Sequence, residues 1–221
     1  IQMQIDNVEP HEHHLTDKLF NRYYLHSVDG FVYMSEQVRS ELKTYTDAPA
    51  LFSPHPLFEN FGERVARSEA CVRLGLDPAN RYVLFFGLIR DYKGLDLLLE
   101  AWARLKRAGQ TEGRRLIVAG EFYTAREPYL KQIADNGLQD EVLLHDRFIP
   151  DDEVKYYFSA ADFVVQPYKT ATQSGVTQIA YQFCVPMVVT KVGGLAEIVP
   201  DGRVGYVCKP TAEGVADAIE R

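Results

Sequence analysis

Cysteine is scarce in this sequence. Cys71, Cys184 and Cys208 are three in number and widely spaced, which excludes a disulfide framework and any CxxC metal site. Long apolar runs are also missing. No stretch approaches the roughly 18 to 20 residues needed to cross a bilayer, and the opening IQMQIDNVEPHEHH has no basic head followed by an apolar core. A reducing cytoplasm is the expected setting. Positive charge is in deficit, with 24 Lys and Arg against 31 Asp and Glu and a net charge of -7. That balance excludes the broad cationic face that displaces counterions from nucleic acid. The run HEHH at residues 11–14 does not amount to a metal site, because adjacent histidines cannot point one way on a helix or strand. No metal is expected.

What is present is enough for a large core: 221 residues, 46% hydrophobic, sufficient for one large domain or one domain with part of another. The chain opens on Ile1 and closes on Arg221 within a helical pattern, so a fragment of something longer is expected. From about residue 80 onward, short β-rich runs alternate with helical patterns, which predicts a doubly wound, Rossmann-like parallel sheet of about six strands. RYVLFFGLI is continuously apolar, as a strand buried on both faces must be. Leu95, Leu98, Trp102 and Leu105 then fall on one helical face. RRLIVAG, EVLLHDRF, ADFVVQPY, PMVVT and VGYVCKP are the further strands, with helices over EPYLKQIADNG, DDEVKYYFSA, VTQIAYQFC and TAEGVADAIER.

The first eighty residues differ. LTDKLFNRYYLHS and EQVRSELKTY predict helices and GFVYMS a short strand, while APALFSPHPLFENFGE, rich in Pro and Phe, has no period. Residues 1–53 read as the tail of a preceding α/β domain with the start of its linker, which extends over about 51–65. Residues 54–221 read as the Rossmann-like domain.

In open parallel sheets, ligands bind beyond the carboxyl ends of the strands. The peptide FFGLIRDYKGLD stands there. Gly87 permits close backbone approach, the helix beginning near Gly94 offers N–H groups, and Arg90 and Lys93 add cations, a combination suited to phosphate. ATQSGVTQIAY brings a second glycine turn, with Gln173, Ser174 and the amides of Gly175 opening a helix. KVGGLAEIV is a third, with Gly193 and Gly194. Each loop alone is an ordinary α/β connection, and three on one edge make a site. Two other groupings have structural readings. Tyr23-Tyr24 and Tyr156-Tyr157-Phe158 have the spacing of core aromatics, and Asp151 and Asp152 stand where a helix start favours carboxylates.

Taken together, FFGLIRDYKGLDLLLEAWARL, RLIVAGE, FIPDDEVKYYFSAADFVVQPY and SGVTQIAYQFCVPMVVTKVGGLAEIVPDGRVGYVCKP resemble the C-terminal domain of the glycosyl transferases group 1 family. These are retaining, nucleotide-sugar-dependent enzymes of GT-B fold. The resemblance covers about residues 54–221 in collinear order. DNVEPHE, DGFVYMSEQV and SPHPLFENF resemble the end of the family's N-terminal, acceptor domain and its interdomain segment. The resemblance implies that Arg90 and Lys93 bind the donor diphosphate and stabilise its charge as it leaves, with no metal or further cofactor required. It implies a phosphate and sugar cradle at Gly87, Gln173, Ser174, Gly175 and Val176. It also places Arg147-Phe148-Ile149 against the nucleotide base, with Glu121 at the same edge.

Two departures stand out. The family usually carries two glutamates separated by seven residues at the connection that here reads Ala171 to Ala180, without a glutamate. Gln173, Thr177 and Gln178 are the neutral candidates to replace them. Near the start, a usual histidine–asparagine pair is Asp6-Asn7. The expected partners are a nucleoside diphosphate sugar and a glycan or lipid-linked acceptor, with peripheral membrane association if the acceptor is lipid-linked. A non-catalytic nucleotide-sugar-binding module and an epimerase on the same fold are the alternatives. An oxidoreductase is disfavoured, since no G-x-G-x-x-G follows any strand.

Overall fold

A computed structural model describes residues 1–5, 7, 8 and 23–221. Asp6, the HEHH run and most of the helix expected over residues 15–27 lie outside the described residues. The strands form two parallel sheets. The first has the order β1 (Gln2–Ile5), β2 (Gly30–Tyr33), β3 (Ala50–Phe52). Helix α1 (Glu36–Leu42) follows β2, started by Ser35, whose Oγ accepts the Val38 N–H. The second sheet contains β4 (Arg81–Phe86), β5 (Arg114–Ala119), β6 (Val142–His145), β7 (Phe163–Gln166), β8 (Met187–Thr190) and β9 (Gly205–Cys208). Its spatial order, β6-β5-β4-β7-β8-β9, is the Rossmann order, with the reversal of direction between β4 and β7.

The continuous apolar strands have a simple cause. Tyr82, Leu84 and Phe86 point to one face of β4 and Val83 and Phe85 to the other, and each face has its own core. The helices on the first face are α2 (Arg67–Leu74), α5 (Asp151–Ala160), α6 (Gly175–Gln182) and the short α7 (Leu195–Ile198). On the second lie α3 (Leu95–Arg107), α4 (Glu127–Asp135) and α8 (Ala212–Glu220). The predicted face of α3 is buried, and Trp102 Nε1–H donates to Glu141 Oε2 at 2.9 Å.

The structure departs from expectation in several places. Ala50–Phe52 is a strand, registered on β2 through Phe31 N–H to Pro49 O and Ser53 N–H to Tyr33 O, each 2.9 Å. All three of its residues are exposed, so no apolar alternation could announce it. Strand β1 and helix α2 were likewise not anticipated. Tyr23 and Tyr24 are exposed rather than core, because Leu25 and Val28 take the buried positions there. Tyr157 and Phe158 do lie in the core, ringed by Phe86. Asp151 and Asp152 occupy the first turn of α5.

Trp102→Ala is expected to lower unfolding free energy by about 3–5 kcal/mol. Glu141→Gln, which leaves an acceptor for the indole, should cost about 1 kcal/mol. Urea denaturation of the three proteins measures both.

Candidate functional site

The edge at the C-terminal ends of β4 and β5 is assembled by backbone pairing that continues past the strands. Gly87 N–H donates to Ala119 O at 2.9 Å, Ile89 N–H to Glu121 O at 2.8 Å and Tyr123 N–H to Ile89 O at 2.9 Å. These bonds bring the ring of Tyr123 against Arg90, whose guanidinium carbon lies 5.2 Å from the ring centroid. After Arg90 the chain makes a 3-10 turn, Asp91–Lys93, before α3 begins at Leu95. The helix expected near Gly94 is thus preceded by a separate turn, and Gly94 is buried against Pro167 O. Lys169 clamps the turn: its N–H donates to Tyr92 O at 2.7 Å, and its ammonium pairs with Asp91 and Asp96, each at 3.0 Å.

This clamp aims Lys93 inward. Gly87 has φ of +98°, and a Cβ added there would stand 3.3 Å from Lys93 Nζ and 3.5 Å from Val176 Cγ2. Only glycine satisfies both the backbone and the space. Lys93 Nζ also lies 5.9 Å from the centroid of Tyr168, a buried ring whose hydroxyl is 3.1 Å from Ser174 Oγ. Withdrawal from water, with Arg90 close by, pulls the Lys93 ammonium down to about 8. Burial pushes the Tyr168 phenol up, so that it remains neutral.

Ser174 stands at the N-cap of α6, with its hydroxyl turned to Tyr168 rather than capping the helix. The Gly175 and Val176 amides have no acceptor among the described residues, which leaves two donors beside Lys93. The Gln173 Nε2 is buried with no hydrogen-bond partner. Of the other neutral candidates, Thr177 is fully buried, its hydroxyl 3.1 Å from Gln166 Oε1, and Gln178 is buried too. Thr177 is therefore committed to the interior.

On the other side of Gly87 a recess of about 180 Å³ is lined by Phe61, Phe86, Glu121, Phe148, Ile149 and Asp151, among others. Glu121 and Phe148 are exposed at its rim. Arg147 is not part of it: its guanidinium pairs with Glu153 and reaches the Tyr157 hydroxyl at 3.4 Å. The structure thus groups Gly87, Lys93, Ser174 and Val176 at one point and Glu121 and Phe148 at the adjoining recess, with Arg90 against Tyr123. The sequence did not single out Phe58 and Phe61. Phe58 packs at 3.1 Å from the position of a Gly175 Cβ, and it meets Phe61 edge to face. Their sequence signals were the density of aromatics in residues 51–65 and their place in the SPHPLFENF segment, neither of which marks them as lining a site.

Residues 80–221 match the model of the glycosyl transferases group 1 family. The chain belongs to that family. Among curated relatives, the D-inositol 3-phosphate glycosyltransferase of Pseudarthrobacter chlorophenolicus is 32% identical over 134 residues, covering 60% of this chain and 32% of the relative. The match thus spans about a third of that protein's length. Among solved structures, sucrose-phosphate synthase from Thermosynechococcus elongatus superposes with a TM-score of 0.84 at 21% identity, covering 95% of this chain and 53% of that one. Anabaena HepE in complex with UDP gives a TM-score of 0.81 at 19% identity, covering 99% of this chain and 61% of that one. For this group 1 chain the two structures establish the GT-B type of fold.

Charged Lys93 opposes folding below about pH 8, because its folded value lies under the ordinary 10.5 of the unfolded chain. The opposition fades as pH rises between those values. Lys93→Met should therefore be more stable than the parent at pH 7, by a margin that shrinks toward pH 10.5. Urea midpoints at the two pH values test this, and a constant margin would contradict it.

Proposed function

We propose that this chain supplies the donor-binding half of a glycosyltransferase, moving a sugar from a nucleoside diphosphate sugar to a glycan or lipid-linked glycan with retention at the anomeric carbon. Surface polysaccharide assembly in the cytoplasm, peripherally at the membrane where the acceptor is lipid-linked, is the process such a reaction serves. In this reading residues 54–221 form the donor lobe, and residues 1–53 the end of the acceptor lobe and its linker. The observation that carries it is Lys93: a lysine withdrawn from water, with no carboxylate acting on it and two amides without acceptors beside it, among the described residues. An anion of two or more charges is the ligand that such a point lacks.

The chemistry follows from the charges. As the sugar leaves, negative charge grows on the diphosphate oxygens, and Lys93, Arg90 and the Gly175 and Val176 amides stabilise it. The base enters the recess, stacking on the exposed Phe148 ring. Gln173 Nε2 is left to donate to a sugar hydroxyl. A second reading, a lobe that binds nucleotide sugar without transferring it, is favoured by one feature: Thr177 and Gln178 are buried and stand in for no carboxylate. Product analysis of the full-length protein with a panel of nucleotide sugars separates the two.

Calorimetric titration with UDP, GDP and ADP should give base-selective binding that Arg90→Ala/Lys93→Ala abolishes. Absence of binding by any nucleotide, with the fold intact, would overturn the assignment. Phe148→Ala should weaken nucleotide binding about threefold to tenfold while leaving inorganic pyrophosphate unaffected. Because free Lys93 loses its proton near 8, nucleotide affinity should fall about tenfold or more between pH 7 and pH 9.5, with proton uptake on binding at the higher pH.

A further inference from the structure

The loop of residues 171–174 is not held by its own sheet alone. Gly194 N–H donates to Thr172 O at 3.0 Å. The glycine backbones approach so closely that a Cβ on Gly193 would stand 1.6 Å from Ala171 O, and one on Gly194 2.2 Å from Thr172 O. The turn between β2 and α1 also abuts these two glycines. A Cβ on Gly194 would stand 3.0 Å from Ser35 Cβ, and one on Gly193 2.4 Å from Gln37 Oε1. Three segments are therefore stacked: 193–194 lies backbone to backbone on 171–172, and the side chains of Ser35 and Gln37 close on the same two glycines. A polar bond fixes the outer contact, with Glu36 N–H donating to Glu197 Oε2 at 3.1 Å. A second runs directly across, from Thr172 Oγ1 to Asn7 Oδ1.

We propose that Glu197 is a positioning residue for the nucleotide site: it seats the 35–37 turn on Gly193 and Gly194, and through them fixes the loop that carries Gln173 and Ser174. The proposal rests on the nucleotide reading given above. The path is physical at each step. Ser174 Oγ meets the Tyr168 hydroxyl at 3.1 Å, and the Tyr168 ring lies under Lys93 at 5.9 Å. A loosened 35–37 turn removes the steric wall behind Gly193 and Gly194, and the 171–174 loop then loses the surface against which it is set. Glu197 is exposed, so water competes for its carboxylate and the effect is modest. It touches no ligand itself.

The test compares Glu197→Ala with Glu197→Gln, which keeps an oxygen able to accept the Glu36 N–H. Amide hydrogen exchange in the absence of ligand should be faster in the Ala variant both at residues 36–38 and at 171–176, and near the parent's in the Gln variant. Calorimetric affinity for whichever of UDP, GDP and ADP the parent binds should fall about three- to fivefold in the first and stay within twofold in the second, with unfolding midpoints alike. Faster exchange confined to 36–38, or equal impairment by both variants, would overturn the proposal. Should the parent bind none of UDP, GDP and ADP, the nucleotide reading falls, while the exchange comparison still decides whether Glu197 sets the 171–174 loop.

Discussion

A half-buried ammonium with no carboxylate beside it among the described residues is the constraint on which the C-terminal edge of the large sheet depends. Lys93 reaches its position because Lys169 clamps the preceding turn through Asp91 and Asp96. It stays there because Gly87 leaves room and Tyr168 offers the face of a ring. The free protein carries the cost of that desolvated charge, and its lowered pKa is the measure of it. An entering anion removes the cost. The imbalance is held in place by neutral and well-packed neighbours.

The neutrality of those neighbours matters. Helix α6 turns Thr177 inward to Gln166, and Gln166 in turn lies against Met187 Sδ at 3.7 Å. Thr190 Oγ1 donates to Tyr168 O at 2.6 Å from the next strand. This buried network ties β7, β8 and α6 together without introducing an ionised group beneath Lys93. Carboxylates there, as the family usually has, would partly cancel the positive potential. Without them the point around Lys93 is more strongly cationic, and in the proposed reading Gln173 is the neutral side chain that faces the sugar.

Much of this was legible in the sequence, for identifiable reasons. Strands buried on both faces read as unbroken apolar runs, so β4, β5 and β7 stood out, and the strict spacing of Leu95, Leu98, Trp102 and Leu105 marked α3. The cations beyond β4 and the glycine turn before α6 could be seen as neighbours because parallel sheets collect such loops at one edge. What escaped had no local signature. β3 exposes every residue, and Phe58 and Phe61 join the site only through the path of the linker. The inward turn of Thr177 and the ion pair that diverts Arg147 are set by partners on the neighbouring elements, Gln166 at the end of β7 and Glu153 on α5, whose side-chain directions no periodicity fixes.

The strand order has a temporal consequence. Gly87 and Val176, which meet around Lys93 Nζ, belong to opposite halves of a sheet whose direction reverses between β4 and β7. A chain emerging from synthesis can complete β4, β5 and β6 with their helices while the other wall of the site is still unmade. Val176 of α6 and Tyr168 after β7 both belong to the later half, so the surroundings that withdraw Lys93 from water are complete only when that half has been added.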